Sequence, residues 1–313
     1  MASVQSRTAT FLLKRLVKSD QAHGSSVVTV RRAVNTFMRL APRQTGVKVF
    51  ASLQPDLPGE WVVCPQAEAG RVVLYIHGGG YFFGSPQSHR PLTTRLARLS
   101  ASRILSLKYR LAPEHRFPLA VEDATRAYCT LLAQGIRPDK LVLAGDSAGG
   151  GLVLSTLLRL KEQKVPLPAG SVCFSPWTDL AITGDSVKQN AEECAMFCES
   201  ALKRAASQYL GELSPFHPLA SPLYANLEGL PPLLVHASDS ELLTDDSRRI
   251  VEFAKEAGVR AELEIYSGQP HVWQLFSLLP EAQDSLQKAA LAIRRWTDCA
   301  PALLARVPRM NSG

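Results

Sequence analysis

The chain has no apolar run long enough to span a bilayer, and no N-terminal hydrophobic segment ending in a small-residue cleavage site. Stable membrane insertion and a secretory route are therefore not expected. Its six cysteines (Cys64, Cys129, Cys173, Cys194, Cys198 and Cys299) contain no C-x-x-C pair. Cys194 and Cys198 lie one helical turn apart but have no further ligands nearby, which argues against a metal site. Reduced thiols in a cytoplasmic protein are the expectation, with Cys129 and Cys173 as small core residues. Nucleic-acid motifs are also missing. The net charge of +7 is spread along the chain rather than gathered in a run, and it is read as solubility. The first nineteen residues lack acids. There Arg7, Lys14, Arg15 and Lys18 alternate with Phe11, Leu12, Leu13, Leu16 and Val17. This reads as an amphipathic helix with a solvated basic face; tethering to a membrane through it is a weaker alternative.

At 313 residues the chain can bury a substantial core, and its 46% apolar and 20% charged content is that of an ordinary globular protein. The informative stretch runs from Leu141 to Gly151. An apolar strand pattern ends in Gly145-Asp146-Ser147-Ala148-Gly149 and passes directly into the helical pattern that begins at Leu152. A G-x-S-x-G turn between strand and helix lifts its serine out of the chain. The glycines are needed because the turn is tight, and the serine itself must accept a strained backbone. Amides at the helix start, beginning with Ala148, are available to a developing oxyanion.

Around this stretch the chain alternates. Helices are expected over 8–18 and 26–40, and antiparallel strands over 47–50 and 60–64. The strand 71–76 is apolar enough to be covered on both faces. It ends in His77-Gly78-Gly79-Gly80-Tyr81-Phe82-Phe83, a glycine run whose amides at Gly79 and Gly80 can approach a substrate closely. His77 is read as fixing the loop. Next come a helix over 86–100, the strand 103–107, a loop containing Glu114 and His115 read as structural, and a helix over 119–133. The elbow and the strand 170–175 follow. This order implies right-handed crossovers and a mostly parallel sheet. From Pro176 to about Pro222 the alternation stops, and one or two helices are expected between Ala191 and Leu210. The pattern resumes with a strand over 231–237, a helix over 244–257, a strand over 261–266 and a final helix over 281–296.

A nucleophilic serine needs a base, and the base needs an acid to orient it. His271 is the histidine on a loop after the last strand, downstream of a cluster of acids after the preceding strand. Asp239, Glu241, Asp245 and Asp246 all remain open as the acid. Asp245 and Asp246 fit the first turn of a helix equally well.

The chain resembles the hormone-sensitive-lipase family of α/β hydrolases, and among them the bacterial carboxylesterases. The resemblance rests on His77-Gly78-Gly79-Gly80, Tyr109-Arg110-Leu111-Ala112-Pro113-Glu114, Gly145-Asp146-Ser147-Ala148-Gly149-Gly150 and Pro270-His271. It implies an α/β-hydrolase fold, a mostly parallel central sheet flanked by helices, with a helical cap. The cap would be formed by residues 1–45 and 177–222, and the core by 46–176 and 223–313. A glutamate followed by three residues and two aspartates, as in Glu241-Leu242-Leu243-Thr244-Asp245-Asp246, matches one subgroup of the family and favours Glu241. Ser240 stands where such members often carry Asp, which keeps Asp239 open.

The implied activity is hydrolysis of short- to medium-chain acyl esters, small-molecule substrates, through an acyl-enzyme without metal or cofactor. Ser147 would be the nucleophile, His271 the base and Glu241 the acid, with Gly79, Gly80 and Ala148 as the oxyanion hole. Phe82, Phe83, Met196, Phe197 and Trp273 are candidates to line the substrate pocket, with Phe11, Phe37 and Trp177 as further apolar candidates. The same triad would serve an amide, carbamate or lactone. A non-catalytic receptor on this fold is the other alternative, but receptors of this family lack the triad histidine, which is present here. The resemblance also admits a homodimer.

Overall fold

The computed structural model describes residues 2–18, 27–29, 31, 32, 36 and 44–298. Most of the expected helix over 26–40 lies outside the described residues, as do Phe37 and Cys299. Eight strands form one sheet: β1 (Lys48–Ala51), β2 (Gly59–Val63), β3 (Val72–Ile76), β4 (Arg103–Leu107), β5 (Leu141–Asp146), β6 (Gly170–Phe174), β7 (Leu233–Ser238) and β8 (Ala261–Tyr266). Their order across the sheet is β1-β2-β4-β3-β5-β6-β7-β8. β1 and β2 pair antiparallel, β2 joins β4 antiparallel, and every later pairing is parallel. The chain thus has the α/β-hydrolase fold, with a mostly parallel sheet.

The helices are α1 (Val4–Leu13), α2 (Arg90–Ser100), α3 (Leu119–Ala133), α4 (Ala148–Glu162), the single turn α5 (Ser186–Gln189), α6 (Glu199–Leu210), α7 (Thr244–Glu256) and α8 (Pro280–Asp298). They cover both sheet faces, which is why the central strands are apolar throughout rather than alternating. In β3, Val72, Leu74 and Ile76 join a core with α3, α4 and α7, while Val73 and Tyr75 join one with α2 and α8. Period-2 side-chain alternation therefore feeds two cores from one strand.

Several elements differ from the sequence expectation, beginning with α1, which starts at Val4 rather than residue 8 because Ser3 caps it. α2 begins at Arg90 rather than Pro86, because Ser85 and Ser88 close a turn on each other and Pro91 suits a first helical turn. Residues 191–198 are a turn followed by irregular chain, and regular helix starts only at Glu199. Among the described residues no helix is long and apolar enough to cross a membrane. Because β3 and β5–β8 run parallel, the loops carrying Gly79, Ser147, Ser175, Glu241 and His271 all leave the same edge of the sheet, where open α/β sheets place their ligand sites.

Candidate active site

Ser147 joins β5 directly to α4 at φ 52°, ψ −124°. A non-glycine residue in such a region costs on the order of 1–3 kcal/mol and must be held by its surroundings. Ser147 N–H donates to Phe174 O at 2.8 Å, and Ser147 O accepts from Trp177 N at 2.9 Å and Gly151 N at 3.1 Å. The turn also needs Gly149. A Cβ there would collide with the carbonyl oxygen of Ile76 and lie 2.5 Å from that of His77. Ala148 opens α4, so its amide belongs to the first-turn donors that the helix leaves unpaired.

Beside the serine, the glycine loop folds back on itself. Phe82 N–H and Phe83 N–H both donate to Gly79 O, at 3.0 and 2.9 Å. Gly79 sits at φ 117°, and a Cβ on it would meet the carbonyl of Phe83. Buried polar groups pin the loop from behind. Asp146 Oδ1 accepts from Gly78 N–H at 3.1 Å and from Tyr75 O–H at 2.6 Å, and its Oδ2 accepts from His89 Nε2 at 3.3 Å. Burial pushes the Asp146 carboxyl up, but His89 and Tyr75 more than offset it and hold it below its ordinary value. His77 Nδ1 donates to Gly78 O at 2.8 Å, and its ring stacks on Tyr109 at 4.4 Å. Burial, with His89 adding to it, lowers the His77 pKa to about 3. His77 is therefore a neutral ring at ordinary pH and suits a structural duty better than that of a base.

Of the four open acids, Glu241 is the one bonded to His271. His271 Nδ1–H donates to Glu241 Oε2 at 2.5 Å, and Glu241 Oε1 accepts from Ser238 N–H at 2.8 Å. With the proton on Nδ1, Nε2 is the accepting nitrogen, and it is buried with no hydrogen-bond partner among the described residues. Asp239 is exposed and accepts from Gly268 N–H at 2.7 Å. Asp245 accepts from Ser186 N–H at 2.8 Å. Asp246 is buried and accepts from the amides of Thr178 and Asp179, at 2.7 and 2.8 Å.

The base loop and the elbow meet at the end of β6. Phe174 O receives the amide of Ser147, while Ser175 Oγ accepts from Val272 N–H at 3.5 Å. Sequence reasoning missed Ser175, reading it as the last residue of the strand 170–175, whereas β6 ends at Phe174. It also missed Asn190, whose side-chain amide donates to the carbonyls of Asp239 and Glu241, each at 2.9 Å, and ties the acid loop to the inserted segment. Nothing in the sequence pointed to Asn190.

The expected pocket residues divide. The Phe197 ring stands edge-on to His271 with centroids 4.8 Å apart, and Met196 is its half-buried neighbour. Phe82 and Phe83 are half-buried and pack edge-to-face at 4.9 Å. Trp273 does not fit the expectation. It is fully buried with Leu279 and Ala282, and its Nε1–H donates to Glu281 O at 3.1 Å, so it packs α8 rather than lining a pocket. Trp177 is likewise buried, with its Nε1–H on Asp179 O. Phe11 points outward and is 59% exposed. Among the described residues no group of three or more His, Cys, Asp or Glu is arranged to hold a metal ion.

A family profile for the α/β hydrolase fold matches residues 73–275. The chain is 43% identical over 239 residues to an acetyl-hydrolase of Streptomyces hygroscopicus, covering 76% of this chain and 80% of that one. It is 34% identical over 281 residues to an esterase of Acinetobacter venetianus, covering 89% and 92%. The crystal structure of an esterase from the bacterial hormone-sensitive lipase family superposes with a TM-score of 0.89 at 40% identity, over 95% of this chain and 100% of that one.

Proposed function

Since the chain belongs to the α/β hydrolases, within the bacterial hormone-sensitive-lipase family, we propose that it is a serine carboxylesterase acting on short- to medium-chain acyl esters. One observation carries this reading above the rest. The 2.5 Å bond from His271 Nδ1–H to Glu241 Oε2 leaves Nε2 as a buried acceptor with no partner among the described residues. A bare imidazole nitrogen at the serine edge of the sheet is what removing a hydroxyl proton requires.

His271 Nε2 takes the proton of Ser147 as Oγ attacks the ester carbonyl. Glu241 stabilises the resulting imidazolium. The carbonyl oxygen, now an oxyanion, is held by the amides of Gly79, Gly80 and Ala148; loss of one such donor typically lowers turnover on the order of a hundredfold or more. The imidazolium returns its proton to the leaving alcohol, and the acyl group stays on Ser147. Water then gives a proton to Nε2 as its oxygen bonds to the acyl carbon, and the bond to Ser147 Oγ breaks as the imidazolium returns that proton to Oγ, releasing the carboxylic acid. The strained backbone at Ser147 and the Asp146 anchor on Gly78 hold nucleophile and donors in place before substrate arrives, which avoids reorganisation during the reaction.

Phe82, Phe83, Met196 and Phe197 form the apolar wall against which the acyl chain or the alcohol packs. Residues 1–45 and 177–222 act as the cap over the core formed by 46–176 and 223–313. Asn190 and Phe197 support this division, because both reach from the inserted segment to the acid and base. The test is hydrolysis of p-nitrophenyl esters from acetate upward. Activity highest on the shorter chains and abolished by Ser147→Ala is expected; no turnover by folded wild type on any chain length would refute the assignment.

A further inference from the structure

Arg31 reaches from the N-terminal stretch to the glycine loop, and its guanidinium is almost fully used there. Nε–H donates to Phe82 O at 2.7 Å, and Nη2–H donates to Ala112 O at 2.8 Å. Nη1 and Nη2 also form a fork on the Glu114 carboxylate, at 2.7 and 2.8 Å. One half-buried side chain thus ties the glycine loop to the loop over 109–114. The hydrogen bonds from Arg31, more than any other cause, lower the Glu114 carboxyl to about 2, so the pair stays charged at ordinary pH.

Phe82 belongs to the turn whose amides the reaction needs. Its N–H closes that turn on Gly79 O, and its ring stands 3.1 Å from where a Cβ on Gly80 would lie, so a shift of Phe82 moves Gly80 as well. The Ala112 peptide braces the same turn: its N–H donates to Tyr81 O at 2.9 Å, while its carbonyl accepts from Arg31. The loop carrying Ala112 is fixed in turn. Arg110 N–H donates to Asp123 Oδ2 of α3 at 2.9 Å, and Tyr109 O–H donates to His77 O at 2.9 Å. Asp146 fastens the glycine loop at its other end, through Gly78 N–H. The amides of Gly79 and Gly80 therefore lie between two fastened points.

We infer that Arg31 is a positioning residue for the oxyanion donors and that Glu114 acts through it by aiming the guanidinium, an assignment that rests on the esterase reading above. The fork matters as well as the charge. Arg31 serves four acceptor atoms, which an ammonium with its three N–H groups cannot do. A displacement of about 1 Å in the catalytic groups can cost on the order of a hundredfold in rate, even when its cause is remote from the chemistry. Acylation and deacylation both pass through an oxyanion, so loosening the donors slows both and leaves KM nearly unchanged. A residue that only anchored the N-terminal stretch would change the melting temperature and leave kcat at its wild-type value.

The test combines steady-state hydrolysis of p-nitrophenyl butyrate with hydrogen–deuterium exchange over residues 78–83, for wild type, Arg31→Lys and Glu114→Gln. Arg31→Lys is expected to lower kcat on the order of tenfold to a hundredfold, with KM within about twofold of wild type. Exchange of the Phe82 and Phe83 amides should quicken about tenfold or more, as loss of a charge-assisted bond implies, while the elbow over 145–149 keeps its protection. Glu114→Gln should fall between wild type and Arg31→Lys on both readouts, because the bonds to the two carbonyls survive. Melting curves show that each variant folds. The assignment is overturned by wild-type kcat in Arg31→Lys, by a loss confined to KM or to melting temperature, or by unchanged exchange over 78–83. A larger loss in Glu114→Gln than in Arg31→Lys would overturn the role given to Glu114. A wild type inactive on the ester refutes the esterase reading, and the exchange result then decides the positioning on its own.

Discussion

Replacing Glu241 by Gln tests the acid assignment and its magnitude together. Glu241 and His271 are 1% and 5% exposed, so the carboxylate that faces Nδ1 at 2.5 Å is the counter-charge the imidazolium meets in a nearly dry site. Glutamine keeps the volume and removes the charge. Its amide can also donate to Nδ1, which favours the tautomer with the proton on Nε2, a ring unable to accept from Ser147. The matching change of acid to amide in a serine protease triad lowers turnover about 10⁴-fold, or about 5.4 kcal/mol of barrier. A similar loss is expected here. Asp239→Asn is the control: Asp239 is exposed and engages Gly268 N–H, and a surface change of this kind is worth about 0.5 kcal/mol or less, about twofold. Steady-state hydrolysis of p-nitrophenyl butyrate by the two variants, with melting curves to verify folding, decides it. Glu241→Gln retaining more than about a tenth of wild-type turnover, or Asp239→Asn matching its loss, would refute the reasoning built on that expected drop.

Gly149→Ala places a methyl group against the carbonyls of Ile76 and His77, and overpacking at backbone should cost about 3 kcal/mol, read as a lower denaturant midpoint. His236 and His77 are buried and their pKa values are lowered to about 3 from 6.5, in both cases chiefly by burial. The unfolded chain takes up protons below pH 6.5 that the folded chain refuses until about 3, so stability falls as pH drops through that window, each group contributing at most about 1.4 kcal/mol per pH unit. His236→Asn keeps a polar partner for Ser285 Oγ and should flatten the slope of folding free energy against pH; an unchanged slope would sink the assignment. Phe197→Ala should change the order of preference along an ester chain-length series. Trp273→Phe should lower the melting temperature and leave that order intact, since Trp273 packs α8.

The parts of the molecule most legible in the sequence are those where backbone geometry admits few residue types. Gly149 has no room for a Cβ, Ser147 stands at positive φ, and strands such as Val72–Ile76 are buried on both faces, so each left a pattern that a single chain displays. The contact between Glu241 and His271 was reachable only through the resemblance to the family subgroup with glutamate, three residues and two aspartates, because Asp239, nearer the strand end, satisfies the same chemistry by composition alone. Orientation was less legible. Phe11 and Leu12 have the spacing of a core-facing stripe, yet the hydrogen bonds of Ser3 and Ser6 to Glu281 and Gln269 turn them outward. Such partners lie far away in the chain, so no local window contains them. Trp273 failed for a related reason: it follows His271 by two residues, but the left-handed turn at Val272 (φ 51°) swings it into the packing of α8. The turn and irregular chain over 191–198 could not be told from helix, because their apolar spacing, Cys194 to Phe197 and Cys198, is that of one helical turn.

The most direct test of the central claim is intact-mass analysis of the protein quenched during turnover of p-nitrophenyl acetate. The account predicts a species heavier by one acetyl group, mapped by peptide digestion to Ser147 and missing from Ser147→Ala. An acetyl group on another residue, or wild-type turnover that Ser147→Ala leaves intact, would contradict it.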